Sequence, residues 1–251
     1  MEQQLKLIEK NKRRIERRRP ITRNTLEQIR KYYRILLTHT STALEGNTLS
    51  ISETKVILED GLAIGGHPLR EHCEVTGHAN AYEYMWSHSM FDHITLKDME
   101  WMIRRFCEAF LPCLPWGYRQ DNSCTSGYAY EVTAFENVPA KMAQLAEWME
   151  GERGKLHPVV FAAELHRRFM YIHPFPHSNG PTARLLMNLA LLQEGYEIIC
   201  IPVESREAYM QALEQGYTDP LPFNHFILQQ EIEAQNLMMR LFHIRNKQHK
   251  R

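Results

Sequence analysis

Helical periodicity runs through nearly the whole chain and breaks clearly in two places. Leu26, Ile29, Tyr33, Leu36 and Leu37 share one face of a helix predicted over 24–44, with Asn24 or Thr25 as its cap. Glu45-Gly46-Asn47 ends it, because Gly and Asn readily terminate helices. Ser50-x-x-Glu53 reads as a capping box that opens a short helix to about 59, closed by Gly61. Further helices are predicted at 69–89, 96–111, 139–150, 159–171, 180–193, 205–215 and 220–245, with Thr95 capping the second and Pro112 stopping it. The first break is 112–138, rich in Pro, Gly, Ser, Asn and Tyr. There Tyr128, Tyr130 and Val132 alternate around Gly127, which predicts a short β-hairpin or extended flap. The predicted fold class is therefore all-α with one small β element.

Charge narrows the function classes. The formal net charge is zero, but seven Lys or Arg fall between 10 and 19 and five between 240 and 251. The body between them is acidic, which argues against a broad nucleic-acid surface. The basic ends read as solvated helix ends. Cysteines stand at 73, 107, 113, 124 and 200, an odd number with no CxxC spacing. That pattern suits reduced thiols rather than a disulfide framework or zinc site. The N-terminus is charged and has no apolar run of signal type, and no stretch is apolar enough for a membrane span. A cytoplasmic protein without membrane contact is the expectation.

The second break is the loop His173-Pro174-Phe175-Pro176-His177-Ser178-Asn179-Gly180-Pro181-Thr182-Ala183-Arg184, set between two strongly periodic helices. Ser178 or Asn179 can cap the second helix, and Pro181 suits its first turn. A small-residue loop feeding a helix N-terminus gathers free amides and the positive end of the dipole, which favours an anion. Arg184, one turn in, adds a fork of donors for phosphate. His173 is placed to face the same pocket, where a histidine can act as general base toward a hydroxyl. From spacing alone, a plain helix–loop–helix corner with a satisfied histidine stands as the alternative. His166, His173 and His177 could also hold zinc, although their spacing is no known zinc pattern.

These residues resemble the signature of the Fic (Fido) family, His-x-Phe-x-Asp/Glu-Gly-Asn-Gly-Arg-x-x-Arg. The flanks are similar too: Leu165-His166-x-Arg168-Phe169, Ile172, Leu185 to Leu192, and Gly195-Tyr196. Gly117-Tyr118-Arg119 resembles the family's entry to its substrate-binding hairpin, and Val138-Pro139 and Met142 fit the helix after it. Ser41-Thr42-Ala43-Leu44-Glu45-Gly46-Asn47 resembles the inhibitory motif Ser/Thr-x-x-x-Glu-Gly/Asn of family members that carry it N-terminal to the core. The resemblance covers about residues 30–235. It implies a helical Fic fold with a hairpin flap: an N-terminal region over 1–94, a core over 95–230 and a basic C-terminal helix end over 231–251.

The same resemblance implies transfer of AMP from ATP to a protein hydroxyl, or its removal. His173 would be the base, and Phe175 a buried anchor. Ser178, Asn179, Gly180 and Arg184 would form the nucleotide site, with Arg184 on the γ-phosphate. Glu45, with Ser41, would supply the inhibitory pairing to Arg184. The flap would hold a target protein, and relatives often dimerise, which points to a homodimer. Two positions depart from the signature. His177 stands where the family has a magnesium-binding acid, and neutral imidazole is a poor ligand for that hard cation. Pro181 stands where the family has its first arginine, so one cation and one N–H are missing. No metal is therefore assigned to the site. A catalytically impaired relative that binds nucleotide or protein is the alternative reading. Arg168, Arg119 and Lys141 are candidates to compensate.

Overall fold

The computed structural model describes every residue except 19, 92, 111–116, 123–129 and 243–251. Ten α-helices make up most of the described chain: α1 (Glu2–Glu16), α2 (Arg23–Leu44), α3 (Ile51–Asp60), α4 (Leu69–His88), α5 (Leu96–Cys107), α6 (Val138–Glu152), α7 (Pro158–Ile172), α8 (Asn179–Gln193), α9 (Arg206–Gln215) and α10 (Leu221–Leu241). Single 3₁₀ turns precede α6 and α9 and follow α5.

Local chemistry accounts for the boundaries. Ser50 and Glu53 form a complete capping box at α3, and Gly61 closes that helix at φ 67. Thr95 and Asp98 form a second box at α5. At α2 the cap is Thr22, whose side chain accepts from the Thr25 N–H, so the helix starts a little earlier than its apolar pattern suggests.

The α7–α8 hairpin is the centre of the molecule. Every residue from Asn179 to Leu191 is buried, so α8 has no solvent face. Helix α7 packs along α8, and α4, α5 and α2 also pack on α8, while α10 covers α7 and α1 lies along α10. One apolar core joins these layers, from Ile8 on α1 through Leu37, Met85 and Phe169 to Met239 on α10. Asn188 on α8 serves structure: its amide exchanges two hydrogen bonds with the backbone of Ile199, at 2.8 and 3.0 Å.

The predicted β-hairpin is not seen. Among the described residues there is no strand, and 117–122 and 130–134 run without regular structure. Gly127 and Tyr128, central to that expectation, lie outside the described residues. Both described flanks are instead tied to the α7 end of the site. The Arg119 N–H donates to the Pro174 carbonyl at 3.0 Å, and the Thr133 N–H to the Tyr171 carbonyl at 3.1 Å. Bonding to α7 uses backbone groups that a ladder between the flanks would need. Among the described residues, no helix is long and apolar enough to cross a membrane, and Cys73, Cys107 and Cys200 are free thiols.

Candidate functional site

The loop between α7 and α8 begins and ends on strained backbone. His173 caps α7 at φ 48 and Ser178 precedes α8 at φ 61. They are the non-glycine residues with positive φ among the described residues. Each such residue costs about 1–3 kcal/mol and persists where its surroundings over-determine it.

Those surroundings are specific. The Asn179 side chain accepts the Phe175 N–H at 3.0 Å and donates to the Phe175 carbonyl at 2.7 Å. This fixes which end of the amide is the donor, and that donor also meets His173 Nδ1 at 3.1 Å. Nδ1 is therefore the acceptor, and the proton of a neutral ring resides on Nε2. Burial, reinforced by the nearby Arg119 cation, lowers the His173 pKa from 6.5 to about 4. The ring is thus neutral, with an available lone pair, at physiological pH. Phe175 is fully buried against Phe169 and Tyr118. Ser178 occupies the cap position of α8, but its side chain makes no capping bond; Asn179 is used inside the loop.

Arg184 joins α8 to α2. Its Nε donates to Ser41 Oγ at 2.9 Å, and its Nη2 donates to the Ser41 carbonyl at 2.9 Å and to Glu45 Oε1 at 2.8 Å. The guanidinium is 2% exposed, the Glu45 side chain 44%. Burial works against the Arg184 charge, but Glu45 and Tyr209 hold its pKa above the ordinary value. The carboxylate lies at the mouth of α8: a Cβ on Gly180 would fall 2.4 Å from Glu45 Oε1. Glycine is required there for this approach.

The C-terminus of α2 is fully accounted for. Its last four carbonyls would otherwise lack partners. Ser41 receives Arg184, Thr42 the Glu45 and Asn47 amides, Ala43 the Gly46 amide and Leu44 the Arg206 side chain at 2.9 Å. Asn47 pins the following turn by donating to the Glu71 carbonyl and to Glu74. Ser41 and Glu45 are thereby fixed opposite α8, so the structure brings the two residues expected to be inhibitory beside Gly180 and Arg184.

The structure adds Tyr209, His166, His78 and Arg206. Tyr209 accepts from Arg184 Nη1 at 3.4 Å, so its own proton points to His166 Nε2 at 3.0 Å. His78 meets Thr38 Oγ1 at 3.0 Å. Burial, with Arg184 nearby, pushes His78 down to about 3 and His166 well below its ordinary value. No spacing in the sequence marks Tyr209, His78 or Arg206, and His166 stands out there only in the flank of the loop and as a zinc candidate, since the four come from α4, α7 and α9.

None of the three compensation candidates stands in for the cation missing at Pro181. Arg119 is 2% exposed and donates to the carbonyls of His173 at 2.8 Å, Asp121 at 2.9 Å and Thr133, and to Asn122 at 2.7 Å. It clamps the loop. Arg168 lies over Trp148 and pairs with Glu164, while Lys141 bonds Gln144. The donor set also does not fit a hard divalent cation. Residues 173–184 contain no Asp or Glu, His177 is exposed, and Glu45 is committed to Arg184. Among the described residues no group of three His, Cys, Asp or Glu side chains could hold a metal.

A sequence model of the Fic/DOC family matches residues 93–191. The chain is 34% identical over 191 residues to Protein adenylyltransferase Fic of Nematostella vectensis, covering 74% of this chain and 44% of that one. It is 33% identical over 193 residues to the protein of that name from Culex quinquefasciatus, covering 74% and 38%. The chain therefore spans less than half the length of these curated relatives. Among solved structures, a Fic domain containing signaling protein from Bacteroides thetaiotaomicron superposes with a TM-score of 0.84 at 26% identity, over 96% of this chain and all of that one. Fic-1 from C. elegans, residues 134–508, gives a TM-score of 0.85 at 26% identity, over 96% and 72%. With fold, loop and comparisons in agreement, residues 93–191 form a Fic/DOC domain.

Proposed function

We propose that this chain carries a Fic-type AMP-transfer site held shut by its own α2. In the open state it transfers AMP from ATP to a protein hydroxyl with release of pyrophosphate, or removes it by hydrolysis as free AMP. The observation that carries this reading is the placement of Glu45: a carboxylate sits at the N-terminal mouth of α8 and occupies the one arginine there, 2.8 Å from Arg184 Nη2. That is where an anionic ligand would bind, because helix amides and the guanidinium converge on it. The charge-assisted bond from Arg184 Nη2 to Glu45 Oε1 holds the site that phosphate would take, and the exposed side of Glu45 lets it leave.

In this reading each residue has one task. His173 is neutral at physiological pH, and its Nδ1 lone pair takes the proton of the incoming hydroxyl, which replaces the Asn179 amide at that nitrogen. The α8 amides at Asn179 and Gly180, with Ser178 beside them, hold phosphate oxygens, and Arg184 neutralises developing charge. No step is routed through a metal. Loss of a phosphate clamp at Pro181 costs on the order of several kcal/mol of barrier lowering, so the open enzyme is slow.

The same substitution supports a second reading, a catalytically impaired domain that binds a nucleotide or a protein partner. One experiment addresses both. Glu45→Gly protein is incubated with ATP labelled at the α-phosphate, and transfer to itself or to lysate proteins is measured. Label appearing with Glu45→Gly and absent from wild type is the expected result. Nucleotide binding without label establishes the impaired form, and neither label nor binding ends the enzymatic reading.

A further inference from the structure

The charge balance at the mouth of α8 says which ligand fits it. Among the described residues the cation bonded to Glu45 there is Arg184, while Arg206 and Arg119 are spent on the carbonyls of Leu44 and His173, and Pro181 withholds an amide that another residue would supply. His173 is neutral and adds no charge. No acid in 173–184 can hold a divalent cation against a polyphosphate. The anion the pocket already accommodates, the Glu45 carboxylate, carries a single charge. A monophosphate carries about −1.5 to −2 at neutral pH, a phosphodiester less and a triphosphate far more. Unbalanced charge in a buried site is expensive.

We propose that, with Glu45 displaced, this pocket takes a single phosphate group of a nucleotide, as a nucleoside monophosphate or the phosphodiester joining it to a hydroxyl, with no divalent cation. This rests on the pocket being the nucleotide site proposed above. The phosphate oxygens replace Glu45 on Arg184 and approach Gly180, where the absence of a Cβ leaves room. His173 and Asn179 lie on the side where the esterified oxygen would be.

The test is calorimetric titration of AMP, of the methyl ester of AMP and of ATP into wild type, Glu45→Gly and Glu45→Gln, each in magnesium chloride and in EDTA. Glu45→Gln keeps the shape of the side chain, and thermal melting of both variants establishes that they are folded. AMP or its ester is expected to bind the variants at least about tenfold more tightly than wild type. Exchanging magnesium for EDTA should change Kd by less than about twofold, and ATP should bind no more tightly than AMP. Tighter binding of the ester assigns the pocket to an AMP-modified hydroxyl, and tighter binding of AMP assigns it to the free nucleotide. Binding that vanishes in EDTA, or ATP binding about tenfold tighter than AMP, overturns this inference while leaving the nucleotide site intact. Folded variants that bind none of the three overturn both proposals.

Discussion

Two buried charge sites stand on different helices, Arg184 on α8 and Glu231 on α10, and they solve the same problem differently. At the α2–α8 site, the Arg184 guanidinium is buried but meets a carboxylate, a hydroxyl and a helix C-terminus. Under α1, Glu231 is fully buried, with no cation bonded to it. One of its oxygens accepts the Glu197 N–H at 3.3 Å and the other has no partner. Burial, then the neighbouring Glu197 charge, raises its pKa well above the ordinary value, so the surroundings favour its protonated form. The first site is a pair whose halves sit on different helices, one half-exposed, and such a pair can open. The second is sealed, and nothing about it requires motion. A lock belongs where opposite charges meet across elements, not where a charge has been suppressed.

The sharpest way to break this comparison is Arg184→Ala. Removing the cation strips Glu45, Ser41 and the α2 C-terminus of their partner, and a loss of about 3–5 kcal/mol in unfolding free energy is expected from denaturant titration. Glu45→Gly should cost less, about 1–3 kcal/mol, because Glu45 is half-exposed and water replaces it. It should be accompanied by the gain in nucleotide binding described above. An equal loss from both variants would mean that the pair is structural and does not open.

Acid should act on the two sites with opposite signs. His173, His78 and His166 have folded pKa values below 6.5, so the unfolded chain takes protons first as pH falls. The stability they contribute is present above about pH 6.5 and is lost toward pH 4 and below. Glu231 behaves oppositely: its folded pKa is raised, so its contribution is present at low pH and fades as pH rises. Melting temperatures measured across this range in wild type and His78→Gln should separate the histidine part as a shallower acid limb.

Gly180→Ala sharpens the lock itself. A Cβ there meets Glu45 at 2.4 Å, so the carboxylate must move out, at a cost of about 1 kcal/mol in stability. Unlike Glu45→Gly, this variant should gain no nucleotide affinity in calorimetry, because the methyl group fills the space the phosphate needs. The smallest effect is expected at Glu231→Gln. An amide of the same shape replaces an acid whose surroundings favour the protonated form, so stability should change by no more than about 1 kcal/mol, with the decline toward higher pH removed.

Much of this was legible in the chain. The boxes at Ser50 and Thr95 act through neighbours three residues away, and apolar spacing reports the buried face of α7 and of α2 around Tyr33 and Leu37, although Leu26 on the expected α2 face is exposed. The loop announced itself by composition, and Glu45 and Arg184 were named together from two separated motifs. The hairpin expected around Gly127 and Tyr128 was not realised among the described residues, where the flanks bond to α7 instead. Side-chain alternation reports a preference for extended backbone, but says nothing about which partner satisfies its N–H and C=O groups.

Local sequence is enough for most helices after α1, for the caps at Ser50 and Thr95 and for the loop between α7 and α8, because those depend on contacts within a turn or two. Only the tertiary structure decided that α2 would end against the mouth of α8, that Tyr209 and His166 would stand behind Arg184, and that Arg119 would clamp the loop rather than replace a lost phosphate ligand. Those outcomes depend on packing between residues far apart in the chain, 143 positions for Ser41 and Arg184 and 162 for Leu44 and Arg206. The charge of a buried group is set by the neighbours that packing brings to it, which no local pattern records.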